Sequence, residues 1–193
     1  MTGIEEIKAE LRKILSEKRY VHSLGVADEA KKLAAKYGVD ENRAYIAGLV
    51  HDCAKEVPPQ DMEGILKRKY GVSVDSMSKL TPKILHGVLG ACEAQSKFGI
   101  YDPEILDAVK YHTTGKGNMS MLAKIIYIAD YIEPNRDFDG VRELRSLAYR
   151  DIDEAIIKGI DDTIKDLIKR GLLLHPDTIH ARNDLIIKRS QKK

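Results

Sequence analysis

An all-α fold of roughly eight to ten helices is what this 193-residue sequence predicts. Apolar residues recur at steps of three and four along most of the chain, and glycines and prolines punctuate it at short intervals. No stretch alternates apolar and polar residues as a half-buried strand does. There is no internal repeat and no linker-like tract, so residues 1–193 read as a single domain, long enough to bury a core.

The helices follow in order. Thr2 and Glu5 have the spacing of a capping box, and Ile4, Ile7, Leu11, Ile14 and Leu15 then repeat at helical spacing to about residue 17. A second helix covers about 18–37, with Ala27, Ala30, Leu33 and Ala34 inward and Gly38 as its left-handed stop. Asp40 caps a third, about 41–54, before the Pro58-Pro59 break. A short helix at about 61–70 closes at Gly71, and residues 72–80 read as a loop with a helical turn. Thr81 and Asp102 are each N-caps followed by proline, opening helices to about 98 and to His112. The polar stretch 113–118 is a loop. Ser120 then caps an apolar helix, 121–132, which Pro134 stops. Helices at about 142–149 and 151–170 follow, and Pro176 opens the last one.

Composition narrows the function. Apolar residues at 43% and charged residues at 32% describe a globular protein, not a disordered one. Thirty-two basic against 30 acidic residues give +2, too balanced for a nucleic-acid binder, and the basic tail 188–193 reads as a solvated terminus. Two cysteines, Cys53 and Cys92, make no disulfide framework. With no signal peptide and no membrane span visible, the expected setting is the cytoplasm.

The chemistry is concentrated in histidines on helices. His22, His51, His86 and His112 sit on or beside apolar helical faces, where a single such residue is ordinarily a hydrogen-bonded core side chain. His51-Asp52 alone is weak, because 6 His and 17 Asp supply about half such a dipeptide by chance. Asp130 adds weight. It lies in Ile125-Ile126-Tyr127-Ile128-Ala129-Asp130-Tyr131-Ile132, where a buried carboxylate needs a cation, a metal or strong donors. Four imidazoles and two carboxylates spread over five helices are the donor set of a metal site inside a bundle, and iron, manganese, zinc or magnesium would suit it. Adjacent ligands do not share a helix face, so His51 and Asp52 reach one ion only near a helix end. Cys53 points elsewhere and reads as a packed thiol.

Five blocks in this order resemble the HD-domain superfamily of metal-dependent phosphohydrolases, and more closely its YqeK-type branch. They are Arg19-Tyr20-Val21-His22-Ser23, Gly48-Leu49-Val50-His51-Asp52-Cys53-Ala54-Lys55, His86-Gly87, Tyr111-His112-Thr113-Thr114-Gly115 and Ala129-Asp130-Tyr131-Ile132-Glu133-Pro134-Asn135-Arg136. The motif-bearing region runs from 19 to about 141, and length and helix order fit over nearly the whole chain.

The resemblance implies a helical HD-type domain that splits diadenosine tetraphosphate symmetrically into two ADP, by attack of a metal-bound water on a phosphate. It implies His22, His51, Asp52 and Asp130 as ligands of one metal, iron before manganese, cobalt or zinc. His51, Asp52, His86 and His112 would be the catalytic group. His86 and His112 would face the phosphates, although in dinuclear relatives the matching histidines hold a second metal. Arg19, Lys55, Thr113 and Arg136 would be phosphate partners, or else solvated charges and a loop hydroxyl. Leu173 and His175 would lie near the nucleoside, unless 171–176 is only an apolar turn. ADP- or GDP-like nucleotides are the implied ligands and a homodimer the implied assembly. The rivals are another HD phosphohydrolase, such as a nucleotidase or cyclic-nucleotide phosphodiesterase, and a nucleotide-sensing module without turnover.

Overall fold

The computed structural model describes residues 3–191. The capping role expected of Thr2, and the last two residues of the basic tail, lie outside them. Eleven α-helices follow one another: α1 (Ile4–Ile14), α2 (Glu17–Tyr37), α3 (Glu41–Val50), α4 (Pro59–Tyr70), α5 (Ser76–Leu80), α6 (Leu85–Phe98), α7 (Pro103–Tyr111), α8 (Met121–Ile132), α9 (Val141–Arg150), α10 (Ile152–Lys169) and α11 (Pro176–Ser190). No strand occurs among the described residues. The all-α expectation holds, with one helix more than the upper end of the expected count. The extra element is α5, five residues within the expected loop, capped by the Asp75 carboxylate accepting from the Ser78 N–H at 2.9 Å.

Three boundaries differ from the sequence reading. Helix α3 stops at Val50, not near 54, and a run of turns carries residues 51–56. Thr81 caps nothing: its hydroxyl donates back to the Met77 carbonyl at 2.9 Å, finishing α5, and Pro82–Ile84 forms a 3₁₀ turn before α6. Between α1 and α2, the Ser16 hydroxyl is held by Glu56 at 2.6 Å and leaves the helix amides uncapped. The expected caps Asp40, Asp102 and Ser120 do accept from first-turn N–H groups.

Helix α8 runs through the middle of the core, packed by α2, α3, α7 and α10. Leu122, Ala123, Ile125, Ile126, Tyr127, Ile128, Ala129 and Ile132 are all buried, and an aliphatic side chain moved from water to such a core stabilises by about 1.5–3 kcal/mol. Where α2 crosses α3, a Cβ on Gly48 would stand 2.7 Å from Ala27 Cα, so only glycine lets the two backbones meet. That contact sets the end of α3 against the middle of α2, which brings His51 beside His22. A second apolar cluster, Ala54, Met62, Leu66, Leu85 and Leu89, joins α4 to α6. No helix of the described residues is long and apolar enough to cross a membrane.

Candidate metal centre

Each of the four helical histidines is held from behind. His51 Nδ1 donates to the Gly48 carbonyl at 2.7 Å, His86 Nδ1 to Lys83 at 2.6 Å and His112 Nδ1 to Val109 at 2.7 Å. In every case the carbonyl lies three residues back, so the end of a helix or turn orients its own imidazole. His22, in mid-helix, has no free carbonyl there and instead donates Nδ1–H to the Glu133 carboxylate at 3.1 Å. A carbonyl or carboxylate only accepts, so the proton sits on Nδ1 and each Nε2 keeps a lone pair directed inward.

Those lone pairs converge with two carboxylates. His22 Nε2 is 3.0 Å from Asp130 Oδ1 and 3.9 Å from Asp52 Oδ2. His51 Nε2 is 3.5 Å from Asp52 Oδ2 and 4.0 Å from Asp130 Oδ1. On the other side of Asp52, its Oδ1 lies 3.1 Å from His86 Nε2 and 3.3 Å from His112 Nε2, which are 3.0 Å apart. Around His22 and His51 acceptor faces acceptor, and His22 Nε2, His51 Nε2 and Asp52 Oδ1 are buried with no hydrogen-bond partner among the described residues. Buried unpartnered acceptors are costly unless a cation joins them. Two overlapping groups have ligand atoms close enough to share one ion: His22, His51 and Asp130, and His51, Asp52 and His112. Imidazole nitrogen and carboxylate oxygen are the donors a divalent metal takes, so these residues fit one.

Cationic side chains rim the cluster. Arg19 donates to Asp52 Oδ2 at 2.7 Å, and Lys55 Nζ lies 3.0 Å from His86 Nε2. Arg136 donates to both the backbone and the side-chain oxygen of Asp130, at 2.7 and 2.5 Å. Thr113 Oγ1 stands 3.2 Å from both His86 and His112 Nε2. Burial alone would raise the Asp52 carboxyl; positive charge on the imidazoles of His51, His112 and His86 would outweigh it and hold the group well below its ordinary range. Asp130 is likewise driven down against its burial, by His22, His51 and Arg136. His86 is pushed below 6.5 by burial first, with Asp52 opposing and the neighbouring His112 and Lys55 adding to the fall. Cys53 is a packed thiol, pushed up to about 12 by burial and out of the chemistry.

The structure gathers nine of the residues expected at a site around this point: Arg19, His22, His51, Asp52, Lys55, His86, His112, Thr113 and Asp130, with Arg136 on its edge. His175 lies apart, in a neighbouring cavity of about 150 Å³ that also takes in Thr113, Ile84 and Val88. Leu173 is half exposed and not on that cavity's wall. Asp130 has one cation of the kind its apolar helix calls for, since Arg136 reaches back to it from the following loop. Sequence reasoning gave no role to Glu133 or Arg145. Glu133 stood in plain view, three residues past Asp130 in the same block, while nothing in the sequence connects Arg145 to the site.

Comparison with known proteins agrees with the geometry. The HD domain family model matches residues 19–135. The symmetrical bis(5'-nucleosyl)-tetraphosphatase of Bacillus subtilis is 40% identical over 182 residues, 94% of this chain and 97% of that protein. Its counterpart in Staphylococcus aureus is 39% identical and covers 94% of this chain and 93% of its own. A crystal structure from Clostridium acetobutylicum, described as a predicted HD superfamily hydrolase involved in NAD metabolism, shares 46% identity with a TM-score of 0.95, over 97% of this chain and 99% of that one. The chain therefore belongs to the HD-domain family, and within it to the family of the symmetrical bis(5'-nucleosyl)-tetraphosphatases.

Proposed function

We propose that this chain, acting as one HD-type domain, hydrolyses diadenosine tetraphosphate symmetrically to two ADP, using one divalent metal, iron by preference. His22, His51, Asp52 and Asp130 would hold the ion. The observation that carries the reading is the pair of inward lone pairs on His22 and His51, each fixed by a bond behind it and left facing a carboxylate oxygen with no donor between. A bound divalent ion supplies Lewis acidity toward a phosphoryl oxygen and makes water a better nucleophile at neutral pH.

The chain's own residues do the rest. Arg19 and Arg136 bring guanidinium groups that can clamp phosphate through two N–H donors, and Lys55 adds a point charge. Thr113 offers a hydroxyl on the same side. One water adds to the β-phosphorus of one half and gives up its proton to solvent, the central P–O bond breaks, and the bridging oxygen departs on the second ADP. His86, neutral in the free protein, gains a proton more readily once a phosphate chain lies beside it, and His86 or His112 then donates to that departing oxygen. The cavity at His175 is suited to a nucleoside, with Val72, Val74 and Val88 as apolar wall and His175 and Ser78 as polar contacts. The near-neutral charge supports a nucleotide over a nucleic-acid polymer.

Product analysis on a panel of nucleotides tests this. The metal-loaded protein should give ADP as the sole nucleotide product from diadenosine tetraphosphate. Inorganic phosphate from mononucleotides would point to a nucleotidase instead. Tight nucleotide binding with no turnover under any metal would point to a sensing module.

A further inference from the structure

We infer that Glu133 is the positioning residue for His22, and that Gly25 and Arg145 exist in this chain to keep it there. The inference rests on the metal reading above. Three of the four imidazoles are oriented by the carbonyl three residues back, but His22 lies inside α2, where that carbonyl is bonded within the helix. Its Nδ1 needs an acceptor from elsewhere, and Glu133 Oε1 supplies it at 3.1 Å. Without an acceptor there, the Nδ1–H tautomer loses its preference and the ring its orientation, and Nε2 is no longer held as a donor toward the metal.

The carboxylate itself is buried and tied at both ends. Its Oε2 accepts from the Asn135 backbone N–H at 2.7 Å and from the Asn135 side-chain amide at 3.0 Å. The surrounding turn is stapled from α9: Arg145 donates to the carbonyls of Ile132, Glu133 and Arg136 at 2.7–2.8 Å. One guanidinium thus fixes the backbone that carries Glu133 and, three residues on, Arg136. On the facing helix a Cβ at Gly25 would stand 2.5 Å from Glu133 Oε2 and 3.3 Å from its Cδ. The nearest atom is the tip of a flexible side chain, so the helix would tolerate alanine but the carboxylate would have to leave. Gly25 is the space that Glu133 occupies. None of the three residues touches the inward atoms.

The test is the affinity for zinc(II), read by competition with a chromophoric chelator, together with the melting temperature of the metal-free protein. Glu133→Ala should weaken zinc binding by about ten- to a hundred-fold, the usual loss when the partner behind a metal-bound histidine is removed. Glu133→Gln keeps one acceptor oxygen for two sets of donors and should fall between it and wild type. Gly25→Ala should weaken binding like Glu133→Ala, with a metal-free melting temperature no lower than that of Glu133→Ala, because alanine itself suits the helix. The double variant Gly25→Ala/Glu133→Ala should bind no worse than Glu133→Ala alone, since both act through one carboxylate. Zinc affinity within three-fold of wild type in the Glu133 variants, alongside a weakened His22→Ala, would overturn the inference and leave the metal reading intact. Losses that multiply in the double variant would overturn it too. Wild-type affinity in His22→Ala would remove the metal reading and this inference with it. Should Glu133→Ala not fold, Glu133→Gln and Gly25→Ala carry the same comparison.

Discussion

Asp52 has neighbours on every side: Arg19 at 2.7 Å, His86 at 3.1 Å, His112 at 3.3 Å, His51 at 3.5 Å and Lys55 at 3.7 Å. Two of these are fixed cations, and they differ in kind. Arg19 is planar and bonded to the same oxygen that faces His22 and His51. Lys55 reaches in from the turn after α3, partly exposed, and stands beside His86, the histidine that shares Asp52 Oδ1 with His112. A lysine in that place is free to trade its imidazole contact for a phosphate oxygen. Charge-assisted hydrogen bonds of this type contribute about 1.5–3 kcal/mol. Replacement of Lys55 by alanine should therefore lower kcat/KM for diadenosine tetraphosphate by about 10–100-fold, chiefly through KM, with the metal content of the purified protein unchanged. Steady-state kinetics beside metal analysis decides it. Loss of metal at unchanged KM would place Lys55 in the metal's support instead of the phosphate's.

At the scale of helices, the site is made by the ends of elements. His51 follows the last residue of α3, His112 follows the last of α7, and His86 is the second residue of α6. Helix α7 shows how such an end is held. Asp102 accepts from the Glu104 N–H at 2.9 Å at the far terminus, and Arg43 on α3 donates to both of its carboxylate oxygens at 2.7 and 2.8 Å. The Arg43 guanidinium, ahead of the opposing effect of burial, holds the Asp102 carboxyl below its ordinary 3.8. An N-cap contributes about 0.5–2 kcal/mol and a partly exposed ion pair about 0.2–1 kcal/mol, so Asp102→Ala should cost about 1–3 kcal/mol. In melting temperature that is about 2–4 °C per kcal/mol for a chain of this size. A carboxyl depressed by folding adds stability that is present above its unfolded value and lost as pH falls through its folded one. The gap in melting temperature between wild type and Asp102→Ala should thus narrow as pH is lowered from 7 to below 3.8. A gap that stays constant would show that the cap works without its charge.

Much of this was legible from the chain. Asp102-Pro103, Asp40 and Ser120 announce their helices through cap chemistry, which is local and therefore readable. Thr81-Pro82 carried the same signal and misled, because α5 ends close enough for the Thr81 hydroxyl to turn back to it. The convergence of His22, His51, Asp52, His86, His112 and Asp130 was legible as a donor set, though not as a geometry. What the sequence hid is what depends on contact between distant segments. Glu133 answering His22 across 111 residues and Gly48 admitting Ala27 are both facts of packing.

Over the whole molecule, the centre draws on α2, the turn after α3, the start of α6, the end of α7, and α8. Their backbones are brought together by a core with α8 at its middle, and no short segment contains the site. That arrangement would tie binding to folding: an ion held by His22, His51, Asp52 and Asp130 would cross-link three regions of chain that the unfolded state leaves far apart. It also makes the central claim easy to contradict, because one imbedded imbalance should disable the centre. His51 is fully buried, its Nδ1 bonded to Gly48 and its Nε2 between Asp52 and Asp130. The most direct measurement is the metal content of purified His51→Ala together with its turnover of diadenosine tetraphosphate. The expected result is a folded protein that has lost most of its metal and its production of ADP. Full metal content with full hydrolysis would contradict the account.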